Sequence, residues 1–327
     1  MPAANSALIT GLTGQDGSFL AELLLGKDYG VTGLVRDDGE RSLGSAEHLR
    51  AQVETVPGDL LAPDSLRDAV ARVRPREVYH LAAPSFIPAS WERPGETLAA
   101  IAGSAAALLE AVRDVDSAIR VFVPASGAIF GAARESPQRE DTPCRPDTPY
   151  AVAKLAAHQL LGAMRERYGL HASSGIVYNH ESERRPERFV TRRITRGAAA
   201  ISLGLQDELT LGSLDAVRDW SFAGDVVRGA WIMLQQECAD DYVLASGVGR
   251  TVAEFAQVAF ACVELEADHF VRVDPSLVRG PEATPSVGDP AKARARLGWE
   301  PELSFEQLVE RMVRADLQLL KQRTGRS

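Results

Sequence analysis

The chain has 327 residues, of which 45% are hydrophobic and 25% are charged, and its formal net charge is −9. This composition is typical of a soluble globular protein that is long enough to bury one large core or two modest ones. The acidic balance argues against a nucleic-acid partner, although a local basic pocket can still bind a phosphorylated ligand.

Three widely spaced cysteines indicate neither a disulfide framework nor a zinc site, and we predict no bound metal. No apolar run approaches the roughly 18 residues that a membrane-spanning helix needs. The first residues lack the charged and apolar regions of a signal peptide. We therefore predict a cytoplasmic protein without a membrane partner.

Short β-rich apolar runs alternate with longer helical patterns through the first half of the chain. The predicted strands are residues 6–10, 30–35, 54–57, 77–81, 121–124 and 174–178. The predicted helices between them are residues 18–25, 65–73, 96–112 and 150–168. This alternation predicts an α/β fold with a doubly wound parallel sheet of the Rossmann type, which binds ligands at the carboxyl ends of its strands.

Beyond about residue 180 the pattern changes to arginine-rich stretches, turns with glycine or proline, and shorter helices. We predict a dinucleotide-binding Rossmann domain over residues 1–180, completed by parts of residues 215–250. A smaller α/β lobe for the substrate is predicted over residues 181–327. One late strand, residues 241–245, is expected to return to the main sheet.

A glycine-rich stretch, TGLTGQDG at residues 10–17, follows the first predicted strand and leads into the first predicted helix. Glycines there allow a tight turn and let backbone N–H groups approach a pyrophosphate at a helix N-terminus. The stretch therefore predicts a dinucleotide-binding loop. Its predicted cofactor-binding residues are Gly11, Thr13, Gly14, Gln15, Asp16 and Gly17.

The second predicted strand ends in two residues that favour different nicotinamide cofactors, Arg36 and Asp37. An acidic residue at this place accepts hydrogen bonds from the ribose of NAD, whereas an arginine pairs with the 2′-phosphate of NADP. We therefore predict an NAD(P) cofactor and leave the choice between NAD and NADP open. The other predicted cofactor contacts follow the third and fourth strands, at Asp59, Leu60, Leu81, Ala82 and Ala83.

Tyr150 and Lys154 lie one helical turn apart, so both project from the same face of the predicted helix. A buried ammonium near the phenol is expected to lower the pKa of Tyr150 towards the working pH. Ser126, at the end of the fifth strand, is placed to hydrogen-bond the same substrate oxygen. These three candidate catalytic residues predict oxidation of a secondary alcohol, or reduction of a ketone, with the nicotinamide as partner.

With these motifs the chain resembles the extended short-chain dehydrogenase/reductase family, and within it the GDP-mannose 4,6-dehydratases. The segments that carry the resemblance are TPYAVAK at residues 148–154, YNHESERR at 178–185 and FVTRRITR at 189–196, together with the cofactor loop. The resemblance implies a nucleotide-diphosphate sugar as substrate, favours a GDP-sugar, and implies a homodimer or homotetramer. It places the substrate contacts at Ser85, Asn179, His180, Val190, Arg193, Arg218, Arg279 and Glu282.

The resemblance breaks at two positions of the predicted active site. The family has a glutamate where this chain has Ala128, and a histidine where it has Phe86. In the family that glutamate removes the C5 proton and helps to expel the C6 hydroxyl as water. The loss of a general acid/base typically lowers a rate by about 10²–10⁴-fold.

Ala128 therefore favours an oxidoreductase that acts at C4 of a hexose or heptose without 4,6-elimination, either a 4-epimerase or a 4-ketoreductase. One alternative is a 4,6-dehydratase in which another acid, such as Glu135 or Glu181, replaces the missing glutamate. A second alternative is a catalytically silent NAD(P) sensor, against which the presence of Ser126, Tyr150 and Lys154 argues.

Overall fold

The computed structural model describes residues 5–36, 42–277 and 284–325. Its strands are β1 (Ser6–Thr10), β2 (Gly30–Val35), β3 (Glu54–Pro57), β4 (Glu77–His80), β5 (Arg120–Ser126), β6 (Ala172–Val177), β7 (Asn179–Glu181), β8 (Leu209–Leu211), β9 (Val217–Phe222), β10 (Tyr242–Leu244), β11 (Gly249–Thr251) and β12 (Val271–Val273). Its helices are α1 (Gln15–Leu25), α2 (Pro63–Val73), α3 (Ala89–Glu92), α4 (Pro94–Leu98), α5 (Ser104–Val115), α6 (Pro149–Tyr168), α7 (Val190–Ser202), α8 (Ala223–Gln235), α9 (Val252–Ala261), α10 (Ala267–Phe270), α11 (Ala291–Leu297) and α12 (Phe305–Thr324).

The central sheet has seven strands in the order β10-β6-β5-β4-β1-β2-β3, and every neighbouring pair is parallel. All six strands predicted in the first half of the chain belong to it, and the late strand predicted near residue 243 is its edge strand β10. The predicted fold class, a doubly wound parallel α/β sheet, is confirmed.

Helices cover both faces of this sheet, because its strands are apolar on both sides. Apolar side chains of α1 and α8, such as Leu24 and Met233, are buried in the core on one face. Those of α2, α5 and α6, such as Leu66, Leu108 and Leu161, form the core on the other face. Strands buried on both faces read as continuous apolar runs, which is why they stand out in the sequence.

The predicted helix over residues 96–112 is not one continuous α-helix. It consists of α4, a π-helical turn over Ala99–Gly103, and α5. The turn brings the Ser104 hydroxyl within 2.9 Å of the His80 ring at the end of β4, and the same hydroxyl donates to the Ala100 carbonyl at 2.6 Å. A buried hydrogen bond to a distant residue therefore accompanies the local change in helical winding, which apolar periodicity does not reveal.

Two smaller sheets lie outside the central one, with the strand orders β11-β9-β7 and β12-β8. The helices α7, α9 and α12 pack around them. The division into domains at residue 180 stays a prediction. Within the described ranges, no helix is both long and apolar enough to cross a membrane.

A buried ion pair joins α7 to α12. The Arg192 guanidinium donates to the Asp316 carboxylate from Nε at 2.9 Å and from Nη2 at 2.7 Å, and the Thr195 hydroxyl donates to the same carboxylate at 2.7 Å. Asp316 is fully buried and Arg192 is nearly so. Removal of one partner of such a pair leaves an uncompensated charge in the interior.

We expect Asp316→Ala to lower the free energy of unfolding by about 3–5 kcal/mol, because Arg192 then stays buried without its counter-ion. Urea unfolding followed by circular dichroism measures this change. The control is Glu310→Gln, which removes an exposed ion pair with Arg314 on the same helix and should cost less than about 0.5 kcal/mol. Equal effects of the two substitutions would contradict the role assigned to the buried pair.

Candidate active site

The glycine loop between β1 and α1 packs against the chain that leaves β4. Gly11 has a φ of +79°, and a Cβ placed on it would lie 2.8 Å from the Ala82 backbone nitrogen. A Cβ on Gly17 would lie 2.1 Å from the Gly11 carbonyl oxygen. Only glycine fits at these two positions without a backbone shift. The predicted cofactor residues of the loop and those at residues 81–83 are therefore adjacent.

A chain of buried hydrogen bonds that sequence reasoning missed lies beneath this contact. The Ala82 N–H donates to the Thr10 hydroxyl at 3.1 Å, and that hydroxyl lies 2.9 Å from His80 Nδ1. His80 Nε2 lies 2.9 Å from the Ser104 hydroxyl. Burial, followed by the charge of Lys154, lowers the pKa of His80 to about 3, so its imidazole is neutral. No local motif in the sequence identifies this network.

The three candidate catalytic residues meet at the carboxyl end of β5 and the start of α6. The helix begins at Pro149, after the Thr148 hydroxyl accepts the Ala151 N–H at 3.1 Å. This start places Tyr150 and Lys154 in the first turn and a half of α6, where both are buried. Ser126 is the last residue of β5.

Lys154 is held by the backbone rather than by the phenol. Its ammonium donates to the Pro124 carbonyl at 2.7 Å and lies 5.9 Å from the centre of the Tyr150 ring. Burial lowers the pKa of Lys154 to about 8, and the carboxylate of Asp16 acts in the opposite direction. The Lys154 ammonium therefore loses its proton at mildly alkaline pH.

The pKa of Tyr150 is raised, which is opposite to the expected direction. Burial raises it most, a hydrogen bond with Ser126 lowers it, and the charge of Arg185 lowers it further. The expectation that Lys154 lowers this pKa is wrong for this structure, because the ammonium is directed to the Pro124 carbonyl. Arg185 is a further candidate site residue that sequence reasoning missed, although it lies within one of the motifs that carry the family resemblance.

Ala128 lies in a short 3₁₀ turn, Gly127–Phe130, directly after β5. Its backbone N–H donates to the Ser126 hydroxyl oxygen at 3.2 Å. The neighbouring Gly127 packs against the ring of Tyr178, where a Cβ would approach within 2.9 Å. The turn therefore supports Ser126 through the backbone and contributes no acidic side chain.

The two carboxylates considered as replacements have different surroundings. Glu135 is exposed and accepts a hydrogen bond from the Thr142 hydroxyl at 2.6 Å. Glu181 is buried, accepts from the Thr191 hydroxyl at 2.6 Å, and lies 3.2 Å from Nε of Arg185. Arg185 also lowers the pKa of Tyr150, so Glu181 is linked to the candidate catalytic tyrosine through Arg185.

Two residues predicted for different ligands contact each other directly. Asp16, predicted for the cofactor, lies 2.8 Å from the ring of His180, predicted for the substrate. Burial tends to raise the pKa of Asp16, but His180 outweighs it and the pKa falls to about 2. Burial likewise tends to lower the pKa of His180, and Asp16 reverses this, so that the pKa is raised. The two side chains form an ion pair between α1 and β7.

The other predicted substrate residues are spread along the second half of the chain. Asn179 belongs to β7, and Val190 begins α7. Arg193 is exposed on α7 and donates to the Thr210 carbonyl at 2.7 Å, while Arg218 on β9 donates to the Val217 carbonyl at 2.8 Å. Ser85 is exposed in the segment after β4. Asp37, Arg279 and Glu282 lie outside the described residues.

Most arginines of the 184–196 stretch have internal partners. Arg184 pairs with Glu22 at 2.5 Å, and Arg196 pairs with Glu187 at 3.0 Å. Arg188 is exposed and lies 5.3 Å from the ring of Phe86, which packs edge-on against Phe189 at 5.8 Å. Phe86, which departs from the family pattern, thus packs beside the predicted substrate segment.

Two cavities adjoin predicted binding residues. One, of about 690 Å³, lies where β2 and β3 end. It is lined by Arg36, Val56, Pro57, Gly58, Asp59, Ser65, Asp68, Ala69 and Arg72. The second, of about 620 Å³, lies beside α7 and is lined in part by Arg193, Arg196 and Thr210. Arg72 was not predicted, because an arginine on an exposed helix face is also typical of a solvated surface.

The arrangement can support proton transfer and hydride transfer. Within residues 5–36, 42–277 and 284–325, no group of three or more His, Cys, Asp or Glu residues is placed to hold a metal ion. The buried Tyr150 and Lys154 and the half-buried Ser126 lie at the carboxyl end of a parallel sheet, where doubly wound folds bind their ligands.

Comparisons with known proteins agree with this geometry. A family model described as GDP-mannose 4,6 dehydratase matches residues 8–312. GDP-mannose 4,6 dehydratase 2 of Arabidopsis thaliana is 45% identical over 96% of this chain and 87% of its own length. GDP-mannose 4,6-dehydratase of Yersinia enterocolitica is 40% identical over 97% of this chain and 95% of its own length.

A solved structure with a similar fold is Thermus thermophilus UDP-glucose 4-epimerase in complex with NAD. It is 25% identical, has a TM-score of 0.82, and the match covers 95% of this chain and 98% of that one. Solved neighbours therefore include epimerases, while the more similar sequences are dehydratases. The extent of the family match and the identity to its named members establish that this chain is an enzyme of the GDP-mannose 4,6-dehydratase family, within the extended short-chain dehydrogenases/reductases.

Proposed function

We propose that this enzyme is an NAD(P)-dependent oxidoreductase that acts at C4 of a GDP-linked hexose or heptose. The observation that carries the proposal is the meeting of Ser126, Tyr150 and Lys154 at the carboxyl end of β5, beside the glycine loop. The relatives named above act on GDP-mannose by name, which supports a GDP-sugar.

The residues at the glycine loop fit a dinucleotide. Gly11 and Gly17 let the loop pack directly against the chain after β4 and against its own backbone, and the first turn of α1 follows directly. Backbone N–H groups at such a helix start bind a pyrophosphate. The Thermus relative in complex with NAD supports the same class of cofactor. When bound, the nicotinamide supplies a hydride acceptor or donor for C4.

Tyr150 would take the proton of the C4 hydroxyl as that carbon is oxidised. Ser126 donates to the phenol oxygen in the sense that lowers the pKa of Tyr150, and Arg185 adds a positive potential. Lys154 would hold the nicotinamide ribose with its ammonium. Burial of both residues excludes water from the proton transfer.

Ala128 supports a reaction that ends without elimination. The 3₁₀ turn after β5 offers no carboxylate for the C5 proton. The 4-ketone would then be reduced on its other face, as in a 4-epimerase, or the enzyme would run in reverse as a 4-ketoreductase. Epimerisation regenerates the cofactor in each cycle, whereas reduction consumes NAD(P)H.

A 4,6-dehydratase is the second candidate, and the names of the relatives at 40–45% identity favour it. It requires an acid outside the 126–131 segment. Glu181 is the better placed of the two carboxylates considered, because it pairs with Arg185 near Tyr150. The sensor hypothesis loses support, because the chain belongs to a family of enzymes.

The reaction is tested by incubating the purified enzyme with GDP-mannose and related GDP-hexoses or heptoses, with and without added cofactor. Without elimination, we expect an isomer of the substrate, or consumption of NAD(P)H when a 4-ketosugar is supplied. Tyr150→Phe should lower the rate by about 10²–10⁴-fold, because the proton acceptor is lost. Nuclear magnetic resonance of the sugar product distinguishes the outcomes.

The matched control is Tyr168→Phe, an exposed tyrosine on the same helix, which should leave the rate unchanged. A stable 4-keto-6-deoxy product would replace the first candidate by the dehydratase, and Glu181→Gln should then abolish the elimination. An unchanged rate in Tyr150→Phe would contradict both candidates and revive the sensor hypothesis.

We propose NADP(H) as the preferred cofactor, because the cavity beyond β2 contains two arginines, Arg36 and Arg72. Arg36→Ala should weaken NADPH binding by about 10–100-fold, since hydrogen bonds to charged groups contribute about 1.5–3 kcal/mol, and should leave NADH binding nearly unchanged. Quenching or enhancement of nicotinamide fluorescence measures both affinities. The control is Arg67→Ala on α2, which pairs with Asp114. Equal losses for NADPH and NADH in Arg36→Ala would contradict the preference.

We also propose that the enzyme is a homodimer or homotetramer that associates through α3, α4 and α6. Trp91, Leu98 and Val152 on these helices are 63%, 39% and 43% exposed. Large exposed apolar side chains on neighbouring helices are typical of a contact surface. Light scattering should give a multiple of the 35.2 kDa chain, and Leu98→Asp should shift it towards the monomer. A monomeric wild type would contradict this proposal.

A further inference from the structure

A short segment after β6 is hydrogen-bonded to the first two turns of α1. This latch segment, residues 179–185, is separated from α1 by more than 150 positions in the sequence. Four hydrogen bonds join the two elements besides the Asp16–His180 pair. They are Gln15 Nε2 to the His180 carbonyl at 3.1 Å, the Ser182 hydroxyl to Gln15 Oε1 at 2.7 Å, Arg184 Nη1 to the Ser18 hydroxyl at 2.9 Å, and Arg184 Nη2 to Glu22 Oε1 at 2.5 Å.

Both ring nitrogens of His180 face hydrogen-bond acceptors. Nδ1 lies 2.7 Å from the Tyr178 carbonyl oxygen, and Nε2 lies 2.8 Å from Oδ2 of Asp16. A carbonyl and an ionised carboxylate accept hydrogen bonds and donate none. Two favourable contacts therefore require a proton on each nitrogen, so this arrangement holds the imidazolium form.

Titratable groups from neighbouring elements interact with the Asp16–His180 pair. Arg185 belongs to the latch segment and acts on both members, whereas Lys154 and Tyr150 belong to α6 and interact with Asp16. Burial and Arg185 disfavour the imidazolium, whereas Asp16 and the Tyr178 carbonyl favour it, and the net effect is a raised pKa of His180. The facing residue on β9, Ser221, is uncharged.

The structure assigns His180 a role beyond ligand contact: we propose that its imidazolium is a proton-dependent latch that holds the latch segment against the cofactor loop. If either ring nitrogen loses its proton, a nitrogen lone pair faces an oxygen lone pair at that contact, and the hydrogen bond is lost. The latch segment then separates from α1 at His180. The side chains of Gln15 and Asp16, which follow the cofactor loop, are then no longer covered by this segment. His180 is thus a positioning residue that couples the cofactor side of the site to the substrate side.

The sign of the pH dependence follows from the two shifts. Because the pKa of His180 is raised in the folded state, its contribution is complete below the unfolded value of 6.5 and is lost as the pH rises through the folded value. The contribution of Asp16 is present above its unfolded value of 3.8 and is lost as the pH falls through about 2. The latch is therefore closed at pH values between 3.8 and 6.5, and it opens as the pH rises through the raised pKa of His180.

The protonation state is tested directly by nitrogen-15 resonance of histidine-labelled enzyme, which requires no turnover. We expect both His180 nitrogens to carry protons at pH 6 and to titrate together above pH 6.5, and we expect Asp16→Asn to move this midpoint to lower pH. A neutral imidazole at pH 6, or a midpoint that Asp16→Asn leaves in place, would overturn the proposal.

The second arm measures NADPH affinity by fluorescence from pH 6 to pH 9.5, and it rests on the proposed function because it requires a nicotinamide cofactor. Affinity should fall on the alkaline side by about tenfold for each unit by which cofactor binding raises the pKa of His180. His180→Gln should remove the part of this pH dependence that follows His180 and leave only the part that follows Lys154, whose pKa is about 8. The control is Arg311→Gln, which breaks an ion pair between the latch segment and α12, at Glu183, and contains no group that titrates in this range.

Arg311→Gln should keep the pH dependence of the wild type. A profile that persists unchanged in His180→Gln, or that disappears in Arg311→Gln, would refute the latch. If no form of the enzyme binds NADPH while the nitrogen-15 result is as expected, the proposed function fails and the latch stands, so the two failures are distinguishable.

Discussion

The close approach of backbone to backbone at Gly11 and Gly17 sets the position of everything else in the site. Because no Cβ intervenes, α1 begins directly above the Gly11 carbonyl, and the loop rests on the chain after β4. This start presents Gln15 and Asp16 to the latch segment. A side chain at Gly17 would lift α1 away from the sheet, and the ion pair with His180 would lose its geometry.

The charges around Tyr150 form a coupled set rather than independent contacts. Asp16 raises the pKa of Lys154, and His180 and Arg185 lower the pKa of Asp16. Arg185 also forms an ion pair with Glu181. A buried charge without a partner costs several kcal/mol, so each of these groups depends on its neighbours for its ionised state. The phenol of Tyr150 lies between opposing influences, since Arg185 lowers its pKa and Asp16 raises it. A change of charge at any of these residues therefore alters the proton affinity of Tyr150, the proposed catalytic tyrosine.

The sequence predicts the parts of this molecule whose cause is local. Strands buried on both faces, the glycine loop and the helix start at Thr148 all follow from patterns of a few residues. The late strand β10 was also predicted, from a short apolar run that is buried at the edge of the sheet. The π-helical turn before Ser104 was not, since it accompanies a buried hydrogen bond between Ser104 and the distant His80.

Contacts between distant segments were beyond sequence reasoning. Asp16 and His180 were both identified as site residues, yet nothing in either motif indicates that they pair with each other. The arginine-rich stretch posed the same difficulty, because partners such as Glu22 and Asp316 lie far away in the chain. The direction of the Tyr150 pKa depends on how burial balances against several charges, and that balance exists only once the chain is folded.

The turn after β5 explains how one position can separate two halves of a reaction. Ser126 receives a hydrogen bond from the backbone N–H of residue 128, so its hydroxyl proton is left to face Tyr150. That support comes from the peptide and is the same for alanine as for any other residue except proline. The side chain at 128 is therefore not needed for the oxidation that we propose at C4, whereas an elimination that relies on a carboxylate there depends on it completely. A substitution at this one position can withdraw the second step and leave the geometry of the first unchanged.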